Sequence, residues 1–164
     1  ELIIRRELSF NLTRHNPKYD SLESLPAWVH QTMRKHIDDD RPVVYSLEQL
    51  EAAETHDELW NASQREMVAT GEMHNYVRML WGKNVIAWTR SYEEAFAILE
   101  HLNNKYCLDG RDPNSYAGIL WCFGKHDRPW MERPVFGTIR YMTSASTGKK
   151  FDSRKYIEWT KSLI

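Results

Sequence analysis

The stretch from residue 46 to residue 114 is punctuated by paired helix start and stop signals, and no other feature of the chain constrains its fold as much. Ser46 with Gln49 three residues on forms a capping box ahead of LEQLEAAETH. Asp57 stands where it can cap ELWNASQREMVAT, and Gly71 follows that segment as a terminating glycine. NYVRMLWGKNVIAW continues at helical spacing, and Ser91 with Glu94 caps SYEEAFAILEHLNNKY. Asp112-Pro113-Asn114 reads as a helix start with proline at its first position. Upstream, Ser24-Leu25-Pro26 offers an N-cap and a first-turn proline for AWVHQTMRKH. Alternating β-type patterns are nearly absent, and PVVY at 42–45 is too short to count as a strand. After residue 123 the stretch KHDRPWMERPVFG reads as an irregular extended segment, followed by a last short helix near FDSRKYIEWTKSL. The expectation is an all-α, multi-helix domain over 1–164, with an irregular C-terminal segment and no internal repeat or linker.

Composition narrows the function classes. A chain of 164 residues, 41% hydrophobic and 27% charged, has the make-up of an ordinary globular domain with one core. No run of about 18 apolar residues is present to span a membrane. ELIIRRELSFN carries charge from its start, unlike a secretory signal. Cys107 and Cys122 form no metal-ligand spacing and suggest no disulfide framework, so a reducing, intracellular setting and no metal are expected. Net charge is −1, but residues 125–164 carry 9 Lys/Arg against 4 Asp/Glu while the remainder is acidic. A basic C-terminal quarter is compatible with a phosphate-facing edge, and equally with a solvated basic face.

Two features ask for more than core packing. Trp81 and Trp88 are seven residues apart, two helical turns and roughly 10 Å along an axis, so they share a face. Such a pair is ordinarily core, although indoles at such separations can also pass electrons. Three segments also hold polar residues that a helical core does not need. Trp60 and Asn61 stand in one, and His74, Asn75 and Arg78 in the second. The third brings Asn103, Asn104, Asp109, Arg111, Asp112 and Asn114 close together ahead of Trp121. Each alone reads as helix or turn chemistry. Jointly, an arginine, asparagines and a carboxylate facing aromatic residues are what a buried planar heterocycle requires. The amides satisfy ring nitrogens and carbonyls, and the guanidinium neutralises a developing anion. No phosphate-binding glycine loop, HExxH, Cys-pair zinc pattern or GxSxG elbow occurs.

GEMHNYVRMLWGKNVIAWT, LNNKYCLDGRDPNSYAGILW and HDRPWMERPVFGTIRYM together closely resemble the C-terminal, flavin-binding half of class II DNA photolyases. The resemblance runs from ELIIRREL at residue 1 to KKFD at 149–152. It implies a carbon–carbon lyase that uses FAD and blue or near-ultraviolet light to split cyclobutane pyrimidine dimers in DNA. It further implies that Arg78 and Asp109 form the ion pair beside the flavin ring and that Asn103 sits at its N5 position. Trp81, Trp60 and Trp88, in that order outward, match the family's electron-transfer tryptophans. Glu1 resembles the carboxyl group that hydrogen-bonds the damaged pyrimidine, and Trp121 with Met79 the apolar wall on which the dimer rests. Trp130 and Arg140 fall in the segment that touches DNA around the flipped lesion. Glu1, Asn103 and Trp121 are thus the expected catalytic residues.

The sequence departs from the family pattern at several positions, one of them, WCFGKHD, beside the expected substrate cavity. Glycine is usual where Ser115 and Asn75 stand, WCFGKHD is one residue short, Thr138 replaces a common lysine, and TSASTGKK differs from the usual basic ending. The family's N-terminal antenna domain and its Thr/Ser-rich FAD-phosphate loop have no counterpart here, so the chain is expected to be part of a longer, monomeric protein and not to retain FAD stoichiometrically alone. A cryptochrome-like photoreceptor without repair activity is the rival reading, disfavoured because Glu1 and Trp121 are kept. A flavin-free helical DNA-binding module is a third. The organism, the antenna pigment and the choice between cyclobutane and (6-4) lesions stay open.

Overall fold

Helix punctuation becomes helix architecture almost segment for segment. A computed structural model describes residues 3–163, apart from the side chains of residues 75 and 76. Glu1 lies outside the described residues. Nine helices occur among them: α1 (Ile4–His15), α2 (Ala27–Lys35), α3 (Leu47–Glu51), α4 (Glu58–Thr70), α5 (Asn75–Ala87), α6 (Tyr92–Tyr106), α7 (Pro113–Cys122), α8 (Ser144–Thr147) and α9 (Ser153–Lys161). The described residues contain no strand, only an isolated bridge between Arg133 and Gly137.

The caps work as their chemistry requires. Ser46 and Gln49 make the reciprocal capping box of α3. Asp57 Oδ1 accepts the Leu59 and Trp60 N–H groups, each at 3.0 Å, and so satisfies two of the unpaired donors at the start of α4. Gly71 ends α4 at φ 76°, and its N–H donates to Met67 O at 2.9 Å. That left-handed conformation suits glycine, and a Cβ there would also come within 2.7 Å of Leu108. Ser91 caps α6 and Asp112 caps α7, with proline in its first turn. Ser24 is the exception. It closes a short 3-10 turn capped by Ser21, and Pro26 itself occupies the N-cap position of α2. A residue preceding proline is driven into extended conformation, and Leu25 at ψ 153° separates Ser24 from the helix.

α5 takes the centre of the bundle, burying Lys83 and Asn84 along with its apolar residues. Val77, Leu80, Trp81, Val85 and Ile86 are buried, and the helix packs against α4, α6, α7 and α8. α1 lies on α7, and α9 lies on α4, where Tyr156 donates its hydroxyl to Glu66 at 2.6 Å. The irregular segment 124–143 doubles back on itself through the Trp130–Thr138 and Arg133–Gly137 backbone hydrogen bonds and is tied to the helices by side chains. Thr32 Oγ1 accepts the Thr138 N–H at 2.9 Å, Asp39 accepts the Val135 N–H at 2.7 Å, and Tyr92 donates its hydroxyl to Val135 O at 2.5 Å. Gly137, at φ 52°, sits so close to α2 that a Cβ would overlap the Thr32 hydroxyl.

Candidate functional site

α5, α6 and α7 wall a cleft of about 400 Å³ with α1 and the start of the irregular segment at its rim, a volume at the small end of ligand sites in general. Arg78, Met79 and Trp81 line it from α5, Asn103 from α6, Asp109, Ser115 and Trp121 from α7 and the turn before it, and Arg140 from the irregular segment. Residues far apart in sequence thus converge on one hollow with apolar walls and a few polar groups.

Its polar end is a connected network. Arg78 donates from Nη2 to Asp109 Oδ1 and to Asn103 Oδ1, both at 2.9 Å. Burial alone would push the guanidinium down, but the hydrogen bond and charge of Asp109 outweigh it and hold Arg78 above its ordinary value. Asn103, 2% exposed, donates from Nδ2 to Ser115 Oγ at 2.6 Å. Ser115 passes its own hydrogen to the Asp109 carbonyl at 2.8 Å. The asparagine amide therefore has one orientation, with a second N–H in hand. Ser115 was legible in the sequence only as an odd residue at a glycine position; here it sets the direction of Asn103.

The wall around Trp121 is aromatic and basic. Arg5 places its guanidinium 4.9 Å from the centre of the Trp121 ring, and His126 approaches that ring edge-on at 5.5 Å. Burial, and then Lys125, pushes the His126 imidazole down. Arg140 stacks over Trp130 at 4.9 Å, and the Trp130 indole N–H donates to Asp127 at 3.2 Å. Beneath this wall Lys83 is fully buried and donates to the Cys122 carbonyl at the end of α7. Burial pushes its ammonium down to about 8.

Trp81 joins the cleft to the interior. Its ring lies parallel to that of Trp60 with centroids 6.5 Å apart, and Trp60 meets Trp88 edge-on at 5.6 Å. Trp60, from α4, therefore stands between the two indoles of α5. Its N–H donates to Trp81 O at 3.0 Å, and the Trp81 N–H donates to Gln64 Oε1 at 2.9 Å. Gln64 is fully buried in α4 and is the polar residue there that the sequence reading passed over.

Some expected groupings separate. Asn104 turns away from the cleft, where its Oδ1 accepts the Arg111 N–H at 2.9 Å. Consecutive positions on α6 lie about 100° apart, which carries Asn103 and Asn104 to different faces. His74, unlike Arg78, does not line the cleft and stacks on Phe151 at 5.0 Å. Asn114 reaches the cleft edge, with its amide tied to Asp112 at 2.7 Å. Among the described residues no group of His, Cys, Asp and Glu could hold a metal, and no helix is long and apolar enough to cross a membrane.

No family model matches the chain. Individual proteins do. The deoxyribodipyrimidine photo-lyase of Methanothermobacter thermautotrophicus is 48% identical over 164 residues, 100% of this chain and 37% of that protein. The one from Arabidopsis thaliana is 51% identical over 165 residues, 100% of this chain and 33% of that protein. The one from Potorous tridactylus is 48% identical over 157 residues, 95% of this chain and 30% of that protein. The chain spans about a third of the length of the curated relatives it matches.

Proposed function

This chain belongs to the deoxyribodipyrimidine photo-lyase family, and from that premise we propose that the protein it comes from is a light-driven lyase. Its substrate is DNA carrying cyclobutane pyrimidine dimers, its cofactor FAD, and it acts as a monomer inside the cell, where DNA is. One observation carries the reading: a single cleft unites a ring-binding polar network, an aromatic wall and the head of a tryptophan chain.

The donor set fits a flavin ring. Arg78 and the spare N–H of Asn103 complement ring carbonyls and nitrogens, while Met79, Leu99 and Ile119 supply apolar walls. FAD bound there supplies the light-absorbing group and the electron that opens the dimer. Arg78, fixed by Asp109, keeps a cation beside the ring-binding end, so negative charge on a ligand is stabilised there without reorganisation. Trp121 and Met79 form the wall for a flipped pyrimidine pair, and Glu1 hydrogen-bonds its carbonyl. Trp130 and Arg140 face the surrounding DNA, supported by the excess of Lys and Arg over residues 125–164. Trp81, Trp60 and Trp88 form an electron path between the cleft and the far side of α5. No general acid or base is required of the protein.

Replacing Trp81 by phenylalanine in the flavin-loaded protein tests the path, since phenylalanine keeps most of the volume and is much harder to oxidise. Photoreduction of oxidised flavin is lost and dimer splitting by pre-reduced protein survives. Trp121→Ala tests the lesion wall; it costs roughly 1–3 kcal/mol of preference for dimer-containing DNA, the worth of one stacked base. Normal photoreduction with no dimer splitting in the unaltered protein would replace this reading with a photoreceptor.

A further inference from the structure

Lys83 is buried in full behind the Trp121 wall, and the chemistry proposed above makes no use of its charge. α5 and α7 meet there at close range, so that a Cβ on Gly82 would come within 2.4 Å of the Cys122 sulfur. Met79, one turn before Lys83 on α5, has its sulfur 3.9 Å from the same cysteine. Through this contact Lys83 reaches the end of α7, where its ammonium donates to the Cys122 carbonyl at 2.5 Å. The carbonyls before it are satisfied by the chain that follows. Leu120 O accepts the Phe123 and Lys125 N–H groups, and Trp121 O accepts that of Gly124 at 3.0 Å. The Cys122 carbonyl accepts from Lys83 instead, and a cation placed there also faces the negative end of the helix.

The turn beyond α7 needs holding. Gly124 at φ 106° and His126 at φ 61° both lie at positive φ, a conformation that costs energy for histidine. Trp121, His126 and Asp127 project from this turn and the last residues of α7, and all three line the cleft. Asp127 in turn accepts the Arg128 N–H and the Trp130 indole N–H. We propose that Lys83 is a positioning residue for dimer recognition: its cation fixes the end of α7 and with it the angle at which Trp121 meets a flipped pyrimidine pair. The inference rests on the reading of Trp121 as the lesion wall. Lys83 acts through the Cys122 carbonyl, from behind the wall.

Stability alone would favour a different residue. Among the described residues the Cys122 carbonyl is the one hydrogen-bond acceptor for this ammonium, and an apolar side chain of similar length avoids the cost of burying the charge. The two contributions also separate with pH. Burial pushes Lys83 down to about 8 from the ordinary 10.5, so the folded protein sheds this proton before the unfolded chain does. Stability therefore rises with pH across that window, while the cation on α7 is lost over the same rise. The groups facing Lys83 are Asp127, Arg140 and the Cys122 thiol, which burial pushes up. In the same turn burial pushes Lys125 down, its ammonium on the Ser24 carbonyl, and burial with Lys125 lowers His126.

Competition between dimer-containing and undamaged DNA for the flavin-loaded protein, at fixed salt, tests this. Lys83→Met fills the space without charge or donor. It lowers the preference for dimer-containing DNA about fivefold, the size of a charge at a helix end, and leaves the salt dependence of binding to undamaged DNA in place. In a Trp121→Ala background the same substitution costs nothing further, because the two residues act as a unit. In the unaltered protein the preference falls as pH rises through about 8 while stability to urea rises, and Lys83→Met flattens both responses, which separates Lys83 from Lys125 and His126. The pH series on the unaltered protein decides the matter if the variant fails to fold. An equal cost of Lys83→Met with and without Trp121, or a preference that ignores pH across that range, overturns the inference and leaves the wall intact. A Trp121→Ala protein that discriminates like the parent overturns the wall and the inference with it.

Discussion

The tryptophan chain and the irregular segment 124–143 both supply the cleft, but they are held in opposite ways. Trp60 sits on α4, which is capped at both ends from within a few residues, and the indoles of Trp60, Trp81 and Trp88 fill the core. Segment 124–143 has no helix or strand, only turns and the backbone pairs Trp130–Thr138 and Arg133–Gly137. Its course is set by Thr32, Asp39 and His36 around α2, and by Tyr92 at the start of α6. Electron transfer tolerates little change of distance and gains from rigid packing. On the proposed reading, a rim that admits a DNA strand gains from contacts that can be made and broken. On that reading, one fold divides stiffness between two tasks.

Breaking the stiff region should cost most. Trp60→Ala removes a fully buried indole between two others, and an effect of about 3–5 kcal/mol is expected, read as the shift of the urea midpoint at constant slope. A loss below about 1 kcal/mol would mean that the tryptophans are loosely packed and the contrast is false.

A smaller effect falls on the cap that positions Trp60. Asp57→Ala unsatisfies two backbone donors and also removes the acceptor for Ser144 and Asn84. The expected loss is about 1–2 kcal/mol. Asp57→Asn should recover most of it, because an asparagine oxygen caps nearly as well.

The adaptable region should answer to pH instead. His36 bridges two carboxylates, with Nδ1 2.7 Å from Asp39 and Nε2 2.9 Å from Glu132, while Lys35 holds Glu132 from the outside at 2.6 Å and Arg41 adds its charge near Asp39. Glu132 above all, and then Asp39, raises the His36 imidazole above its ordinary 6.5 against the effect of burial. The contribution of a protonated His36 is therefore complete below 6.5 and lost as pH rises through the raised value. Asp39 and Glu132 are both held below their ordinary 3.8 and 4.5. Their contribution is present above those values and fades as pH falls through the lowered ones. Amide exchange at Val135 and Gly137 should accelerate on the alkaline side, once corrected for intrinsic rate, and α4 amides should not follow. His36→Ala should flatten that dependence. An α4 response equal to that of Val135 would merge the two regions into one cooperative unit.

The smallest stability effect is expected at the tip of the rim. Trp130 is 41% exposed under Arg140, so Trp130→Ala should leave unfolding within about 0.5 kcal/mol of the parent. Binding to dimer-containing DNA at fixed salt should weaken all the same. A large stability loss there would make Trp130 structural and count against its place at the DNA.

How much of this could be read from the chain depended on the range of the forces. Capping is decided by side chains two or three residues from the backbone groups they satisfy, so Ser46, Asp57, Gly71, Ser91 and Asp112 announced the helices. Ser24 misled because Leu25, extended ahead of proline, cut it off from the helix it seemed to start. The convergence of Arg78 with Asn103 and Asp109 came from resemblance to known sequences, not from spacing, which had also grouped Asn104, Arg111 and His74 with them. Only packing of α6 on α5 and α7 could sort these, because adjacent residues on a helix face different neighbours. Lys83 against Cys122, Gln64 under Trp81, and Ser115 behind Asn103 join residues that carry no mutual signal in one dimension. Local chemistry settled where the helices begin and end. Tertiary structure decided which polar atoms meet, because a hydrogen bond depends on ångström placement that separation along a chain does not encode.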